Sequence, residues 1–406
     1  MKKISMSVLL VILTLLFVHS FPAYAAVDWI NIEDKEPVED YAYSFVVVGD
    51  TQTLCYMDAS EGTHYMDQIY DWIVANKEEK KIEYVFGLGD ITDRDFDAKE
   101  NGEWKVAQKA IRKLDGVVPY SMVRGNHDNL GRFHNVFKDE FYLSQFEGFY
   151  VDGIASDTYR TLSVCGDDYL LITLDHGPTD GQLEWASGII SKYPDHRVII
   201  STHWYLAKDG QPGDVKDYGS SKPIIENHGT EIWDKLIKKH ANIFMVMSGH
   251  YSTADIVVSQ KTNPAGNKVI QMLVDPQGYD ASDPSGMIGI LYFSKDGKKI
   301  HVEYFSPIKN QYFREKNQFA VRIAKGFINS YDNTSAVSEV TTAVSEATTA
   351  APMITSDIAS AEATKDVTSA TQSSSGCRAV LSTGAVFALC VPFAMSALLL
   401  KRKTKE

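Results

Sequence analysis

The sequence predicts an α/β fold built on a parallel sheet, and three observations lead there. Between residues 43 and 123, β-rich runs alternate with stretches of helical periodicity, the order strand, helix, strand, helix, strand that normally pairs strands in parallel. The runs are short and apolar, as strands covered on their faces tend to be. Five polar motifs each follow such a run: Gly-Asp-Thr-Gln with Asp50 and Gln52, Gly-Asp-Ile-Thr-Asp with Asp90 and Asp93, Gly-Asn-His-Asp from Gly125 to Asp128, Ser-Thr-His with His203, and Ser-Gly-His with His250.

In order along the chain, residues 1–26 carry Lys2 and Lys3, an apolar run over 8–18 and Ala23-Tyr24-Ala25. This is the pattern of a secretory signal peptide cut after Ala25 or Ala26, and the apolar run is short for an uncleaved anchor. Residues 43–49 form a strand closed by Asp50. Residues 64–80 follow as a helix with Met66, Ile69, Tyr70, Ile73 and Val74 on one side. A strand over 82–88, a helix over 104–114 and a strand over 117–123 lead into Gly125. The aromatic segment 129–159 has no clean period and either packs as an insertion on the domain or roofs the site. Residues 161–164 and 169–174 read as a hairpin around Gly166-Asp167-Asp168. A helix over 180–193 takes Asp180 as its N-cap. The strand 198–201 delivers His203, a helix covers 231–240, and the strand 243–247 delivers His250. Runs at 255–259, 269–274, 288–293 and 300–304 read as mainly antiparallel strands, with an Asp296-Gly297 turn between the last two.

Composition shifts beyond residue 336, where Ala-Val-Ser-Glu-Val-Thr-Thr is followed by Ala-Val-Ser-Glu-Ala-Thr-Thr. With too few large apolar residues for a coiled-coil seam, residues 331–376 are expected to be a disordered Ser/Thr/Ala-rich stalk. Residues 379–400 are apolar enough for a helix of about 33 Å, against a bilayer core of about 30 Å. Lys401, Arg402, Lys403 and Lys405 assign that end to the cytoplasm. Residues 377–406 are therefore read as a transmembrane anchor with a basic tail, retained or removed in the manner of a bacterial sorting tail. The expected layout is a signal peptide at 1–26, a catalytic domain at 27–330, the stalk and the anchor, with the protein on the extracellular face of the cell membrane or the cell surface. A formal charge of -13 repels a phosphate backbone, so no nucleic-acid partner is expected. Cys55 and Cys165 either pair in an oxidising compartment or stay as two free thiols, and neither has metal-binding spacing.

Carboxylate, amide and imidazole groups brought from several strand ends to one rim suit a pair of divalent cations about 4 Å apart, which need a carboxylate bridge and separate ligands for each. Asp90, closing a buried strand, is the candidate bridge. Asn126, His203 and His250 supply one ion, while Asp50 and Gln52, one strand period apart, supply the other. A hydroxide shared by the ions would attack phosphorus in line. His127 would protonate the leaving oxygen, its ring held by Asp128.

Together these motifs, over residues 43–304, resemble the calcineurin-like metallophosphoesterase family. The resemblance implies a two-sheet sandwich flanked by helices, in four α/β/β/α layers, and the roles just given for Asp50, Asp90, Asn126, His203, His250 and His127. It further implies a metal-dependent phosphoric ester hydrolase acting on a phosphorylated substrate of unspecified class, with two ions among Mn, Mg, Fe, Zn and Ca. Two positions depart from the family: Gln52 and Ser252 stand where it usually has histidines, both serving the same ion. Oxygen ligands shift that ion toward Mg²⁺, Mn²⁺ or Ca²⁺ and weaken its binding. His176, and after it His64, is the spare histidine that either replaces one of them or is structural. Arg124 holds a phosphate oxygen or forms a plain ion pair, and Asp93 fixes its loop. Gln52 and Ser252 also keep open a second reading, a non-catalytic surface binding module on the same fold with one degraded metal site.

Overall fold

Strands that are apolar at consecutive positions must be covered on both faces, and that requirement sets the architecture. The computed structural model of the chain describes residues 28–94, 102–214 and 226–323. The segments expected as signal peptide, stalk and membrane anchor lie outside the described residues. Among the described residues no helix is long and apolar enough to cross a membrane.

The strands are β1 (Trp29–Asn31), β2 (Tyr41–Val48), β3 (Ile82–Gly87), β4 (Tyr120–Met122), β5 (Gly148–Phe149), β6 (Thr158–Val164), β7 (Asp167–Thr173), β8 (Arg197–Ser201), β9 (Ile243–Ser248), β10 (Val257–Thr262), β11 (Lys268–Leu273), β12 (Ile288–Ser294), β13 (Lys299–Ser306), β14 (Gln311–Phe313) and β15 (Phe319–Arg322). The α-helices are α1 (Gln52–Glu61), α2 (Tyr65–Asn76), α3 (Glu103–Ile111), α4 (Leu130–Phe137), α5 (Glu140–Leu143), α6 (Asp180–Ile190), α7 (Gly229–Lys235) and α8 (Gln277–Asp280). One sheet runs β1-β14-β13-β12-β2-β3-β4, with β15 also on β13. The other runs β10-β11-β9-β8-β7-β6-β5. The β2, β3 and β4 strands are mutually parallel, as are β7, β8, β9 and β11, and antiparallel strands flank both sets.

Strand β2 shows how the layers form. Its Phe45 and Val47 enter the core between the sheets, while Val46 and Val48 pack under the helices on the outer face. That is the period of two that alternating Cβ directions impose. In β9, Met245 and Met247 face the first sheet and Val246 faces α6 and α7. The expected α/β/β/α sandwich is what the chain adopts, and each fully buried aromatic such as Phe45 stabilises it by about 2–3 kcal/mol.

Several local expectations change. The 180–193 helix is capped by Thr179, which exchanges side-chain and backbone bonds with Gln182 in a capping box, so Asp180 is its first residue rather than its cap. The hairpin turn between β6 and β7 falls on Cys165 and Gly166, both at positive φ. Phe133, Phe137, Tyr142 and Phe146 of the aromatic segment are core, packed with Trp104 against the first sheet, whereas Phe141 and Tyr150 are exposed. Both Cys55 and Cys165 are free thiols, one buried in α1 and one exposed at that turn. The run at 269–274 becomes β11, which pairs parallel to β9 and antiparallel only to β10.

A buried carboxyl marks the end of α8. Asp280 Oδ1 accepts from Ser285 N (2.8 Å), Ser285 Oγ (2.6 Å) and Gly286 N (3.2 Å), while its Oδ2 is buried without a partner. Burial pushes its pKa up to about 6 in spite of those bonds. The folded protein therefore binds this proton more tightly than the unfolded chain, so stability present at low pH is lost as pH rises from about 4 through 6. Asp280→Asn keeps the Oδ1 acceptor and removes the charge. Measured by urea denaturation, its stability relative to wild type should grow from near zero at about pH 4 to a gain of roughly 1–3 kcal/mol at about pH 7.5.

Candidate metal centre

The parallel strands of both sheets end on one rim, where each passes into a short loop carrying a polar side chain. Asp50 follows β2, Asp90 follows β3, Asn126 follows β4, His203 follows β8 and His250 follows β9. Bonds cross between the sheets here, among them His203 Nδ1 to Leu88 O at 2.9 Å and His250 N to Asp50 Oδ2 at 3.0 Å. Within the first sheet, Thr51 N (3.1 Å) and Gln52 N (2.9 Å) donate to Asp90 O. His127 N donates to Asp90 Oδ1 at 2.9 Å. The loops are tight enough to hold Asp90 at φ 45° and His250 at φ 75°, a strain of about 1–3 kcal/mol each that the surroundings must outweigh. Gly125 and Gly249 explain the glycines of their motifs, since a Cβ at Gly125 would fall inside the Asp90 carboxylate and one at Gly249 inside that of Asp50.

Four acceptor-capable atoms face one another at the centre. His203 Nε2 lies 3.3 Å from Asp90 Oδ1, 3.1 Å from Asn126 Oδ1 and 3.2 Å from His250 Nδ1, and His250 Nδ1 lies 2.7 Å from Asn126 Oδ1. With its Nδ1 proton given to Leu88 O, a neutral His203 turns a lone pair toward the others, an arrangement that repels unless a cation or proton sits among them. Atoms about 2.1 Å from one tetrahedral ion are roughly 3.4 Å apart, close to the spacing seen. On the Asp50 side, the Gln52 amide nitrogen donates to Gln277 Oε1 while Gln52 Oε1 is buried without a partner. This donor set, with its orphaned acceptor, fits a pair of divalent cations bridged by Asp90.

Charge balance agrees. Burial, then the neighbouring carboxylates Asp275 and Asp90, push Asp50 well above the usual carboxylate range. Burial likewise takes Asp275 to about 6. Burial opposes ionisation of Asp90 too, but the His203 ring outweighs it and holds Asp90 well below its ordinary value. In the same pair burial works against a charged His203 and Asp90 raises it. Burial and the His203 charge bring His250 down to about 3, which leaves its ring neutral and able to ligate.

Asp50, Asp90, Asn126, His203 and His250 thus converge as the motifs suggest. Gln52 joins them by another route: it begins α1 and is not one strand period from Asp50, because the chain turns into helix directly after β2. Asp128 does not hold the His127 ring. It accepts from Ile91 N (3.1 Å), Thr92 N (2.9 Å), Thr92 Oγ1 (3.0 Å) and Gly125 N (2.9 Å), clamping the loop after Asp90 to the turn before Asn126. The ring's Nδ1 instead lies 2.7 Å from Asp93 O. Ser252 is turned away to accept from Gly278 N at 2.9 Å. His64 is exposed beside Asp67. His176 lies between, its ring centroid 5.4 Å from that of His203 and 5.9 Å from that of His250, stacked on Trp204. Arg124 makes the plain ion pair, two-pronged to Asp175 at 2.7 and 3.0 Å. Three residues at the rim were not anticipated: Trp204, stacked on His250, and Asp275 and Gln277 beside Asp50. Asp275 closes the apolar 269–274 run much as Asp50 and Asp90 close theirs, and that was the available signal.

The chain is similar to several known proteins. Residues 43–264 match the family model described as calcineurin-like phosphoesterase. The chain is 29% identical over 299 residues to the uncharacterized protein YvnB of Bacillus subtilis (strain 168), covering 71% of this chain and 21% of that protein, so it spans about a fifth of that relative's length. It is 22% identical over 259 residues to a probable glycerophosphodiester phosphodiesterase, GpdQ, of Arcobacter nitrofigilis, covering 60% of this chain and 86% of that one. A dimetal phosphatase from Danio rerio superposes with a TM-score of 0.47 at 13% identity, over 70% of this chain and 100% of the other.

Gly125→Ala should drive a methyl into the Asp90 carboxylate and backbone, costing about 1–3 kcal/mol and weakening divalent-cation binding at least about tenfold. Gly131→Ala, whose Cβ would meet only Asn129 Oδ1 at 3.3 Å, serves as control and should bind as wild type does. Thermal denaturation and metal content after gel filtration check both, and an unchanged metal content in Gly125→Ala would contradict the close packing described.

Proposed function

The chain belongs to the calcineurin-like phosphoesterase family, and from that membership we propose that it hydrolyses phosphate esters with two divalent cations held by Asp50, Gln52, Asp90, Asn126, His203 and His250. The observation that carries the proposal is the inward-facing group of Asp90, Asn126, His203 and His250, whose ligand atoms are spaced as one ion would space them. When bound, the cations would neutralise the phosphoryl oxygens and activate the attacking water. Asp90 would be the carboxylate shared by the two ions, and their charge would keep it ionised when a neutral His203 offers Nε2. The Leu88 carbonyl fixes His203 in the tautomer that offers Nε2. His127 sits at the edge of the centre with 31% of its side chain exposed, and Asp93 O holds its Nδ1, which supports Nε2 as the atom that would pass a proton to the leaving oxygen. Asp128 contributes by clamping the loop that positions Asp90. The completeness of this side, together with His127, favours catalysis over a pure binding module.

The activity in the name of the Arcobacter nitrofigilis relative makes small phosphodiesters the first substrates to test, beside monoesters. We further propose that the protein acts outside the cytoplasmic membrane. The support is sequence alone: the basic and apolar start at 1–26 and the apolar run at 379–400 followed by four basic residues.

The full chain, loaded in turn with Mn²⁺, Mg²⁺, Zn²⁺, Ca²⁺ and Fe²⁺, should turn over chromogenic mono- or diesters. Asp90→Asn and His203→Ala should abolish that turnover. His127→Ala should lower kcat by about 10²–10⁴ with metal content intact. An absence of hydrolysis on both ester classes with every metal, in protein shown to hold metal, would refute the proposal.

A further inference from the structure

We propose that Asp275 and Gln277 complete the Asp50 half of the centre, making it an oxygen-only site for a hard divalent cation beside a nitrogen-bearing site suited to zinc or iron. The inference rests on the two-cation reading above and adds two ligands that lie outside all five motifs. Asp50, Asp90 and Asp275 are 1%, 1% and 0% exposed, and the Asp50 and Asp275 carboxyl groups are close enough for one amide nitrogen, Gln277 Nε2, to reach both. Two abutting carboxylates out of water call for a cation between them. Gln277 Nε2 partly meets that demand, donating to Asp275 Oδ2 at 3.1 Å and reaching Asp50 Oδ2 at 3.5 Å. Rotating this amide by half a turn offers Oε1 to an ion in place of the N–H, and the bond from Gln52 Nε2 to Gln277 Oε1 is given up in the same movement. The second, independent observation is Gln52, only 4% exposed, whose amide bonds Gln277 and whose Oε1 has no partner. Ser252, tied to Gly278 N, holds α8 and hence Gln277 in this place.

The ligand set is then the carboxylates of Asp50, Asp90 and Asp275 with the amide oxygens of Gln52 and Gln277. Five oxygens without imidazole or thiolate suit Mg²⁺, Mn²⁺ or Ca²⁺. On the other side His203, His250 and Asn126 keep the softer character.

Metal-stripped full-length protein, given one equivalent of zinc, is titrated with Mn²⁺ while the electron paramagnetic resonance signal of free Mn²⁺ is followed. Wild type should retain the zinc and bind one Mn²⁺. Asp275→Asn and Gln277→Ala should each weaken the Mn²⁺ at least about tenfold and leave the zinc in place. A merely structural Asp275 would lower the metal-free melting temperature when replaced, whereas relief of the Asp50 repulsion should raise it in Asp275→Asn. Unaltered Mn²⁺ affinity in both variants, or a lone zinc with no Mn²⁺ site, overturns this inference and leaves the hydrolase reading standing. Failure of wild type to bind either metal would sink both.

Discussion

Three carboxylates, Asp50, Asp90 and Asp275, are withdrawn from water at the seam where two sheets meet, and among the described residues no lysine or arginine pairs with any of them. Negative charge so confined is expensive unless it is compensated at the same spot. Imidazoles, backbone amides and carboxamides supply what the protein itself can: His203 for Asp90, the His250 amide for Asp50, and Gln277 for Asp275. What these groups leave uncompensated is the charge that the proposed cations would balance.

Backbone as well as side chains is committed to this task. Asp90 and His250, both at positive φ, each meet a side chain from the opposite sheet, and the glycines packed against the ligands let loops from different strands touch. Asp128 and Glu103 do related work behind the ligands. Asp128 gathers three backbone amides and a hydroxyl of neighbouring loops, and Glu103 accepts from the amides of Asp93 and Arg94. Strain at the centre is thereby balanced by hydrogen bonds from residues packed behind the candidate ligands.

Much of this was legible in the residues themselves. Apolar runs ending in Gly-Asp, Gly-Asn-His-Asp and Gly-His mark strands and the rim at once, because a run covered on both faces has to stop where the chain reaches water and function. What apolarity does not carry is direction. The 269–274 run is equally apolar whether it pairs parallel or antiparallel, so the residue that follows it, Asp275, drew no notice; its parallel partner β9 brings it to the rim. Gln52 posed a related difficulty, since strand spacing and the first turn of a helix both leave it beside Asp50. For Asp128, adjacency to His127 suggested a contact, yet successive residues in a tight turn diverge, and the ring was taken by Asp93, more than thirty positions earlier.

The pairing of β1 with β14, together with β15 lying on the same side of β13, means that the polypeptide enters and leaves along one margin of the first sheet, several strands away from the cation centre. Arg314 ties the point of entry by bonding both the backbone and the carboxylate of Asp28. A fold closed in this way is a portable cassette. Chain added beyond either end of the described domain would meet that one doorway and leave the interior unstrained.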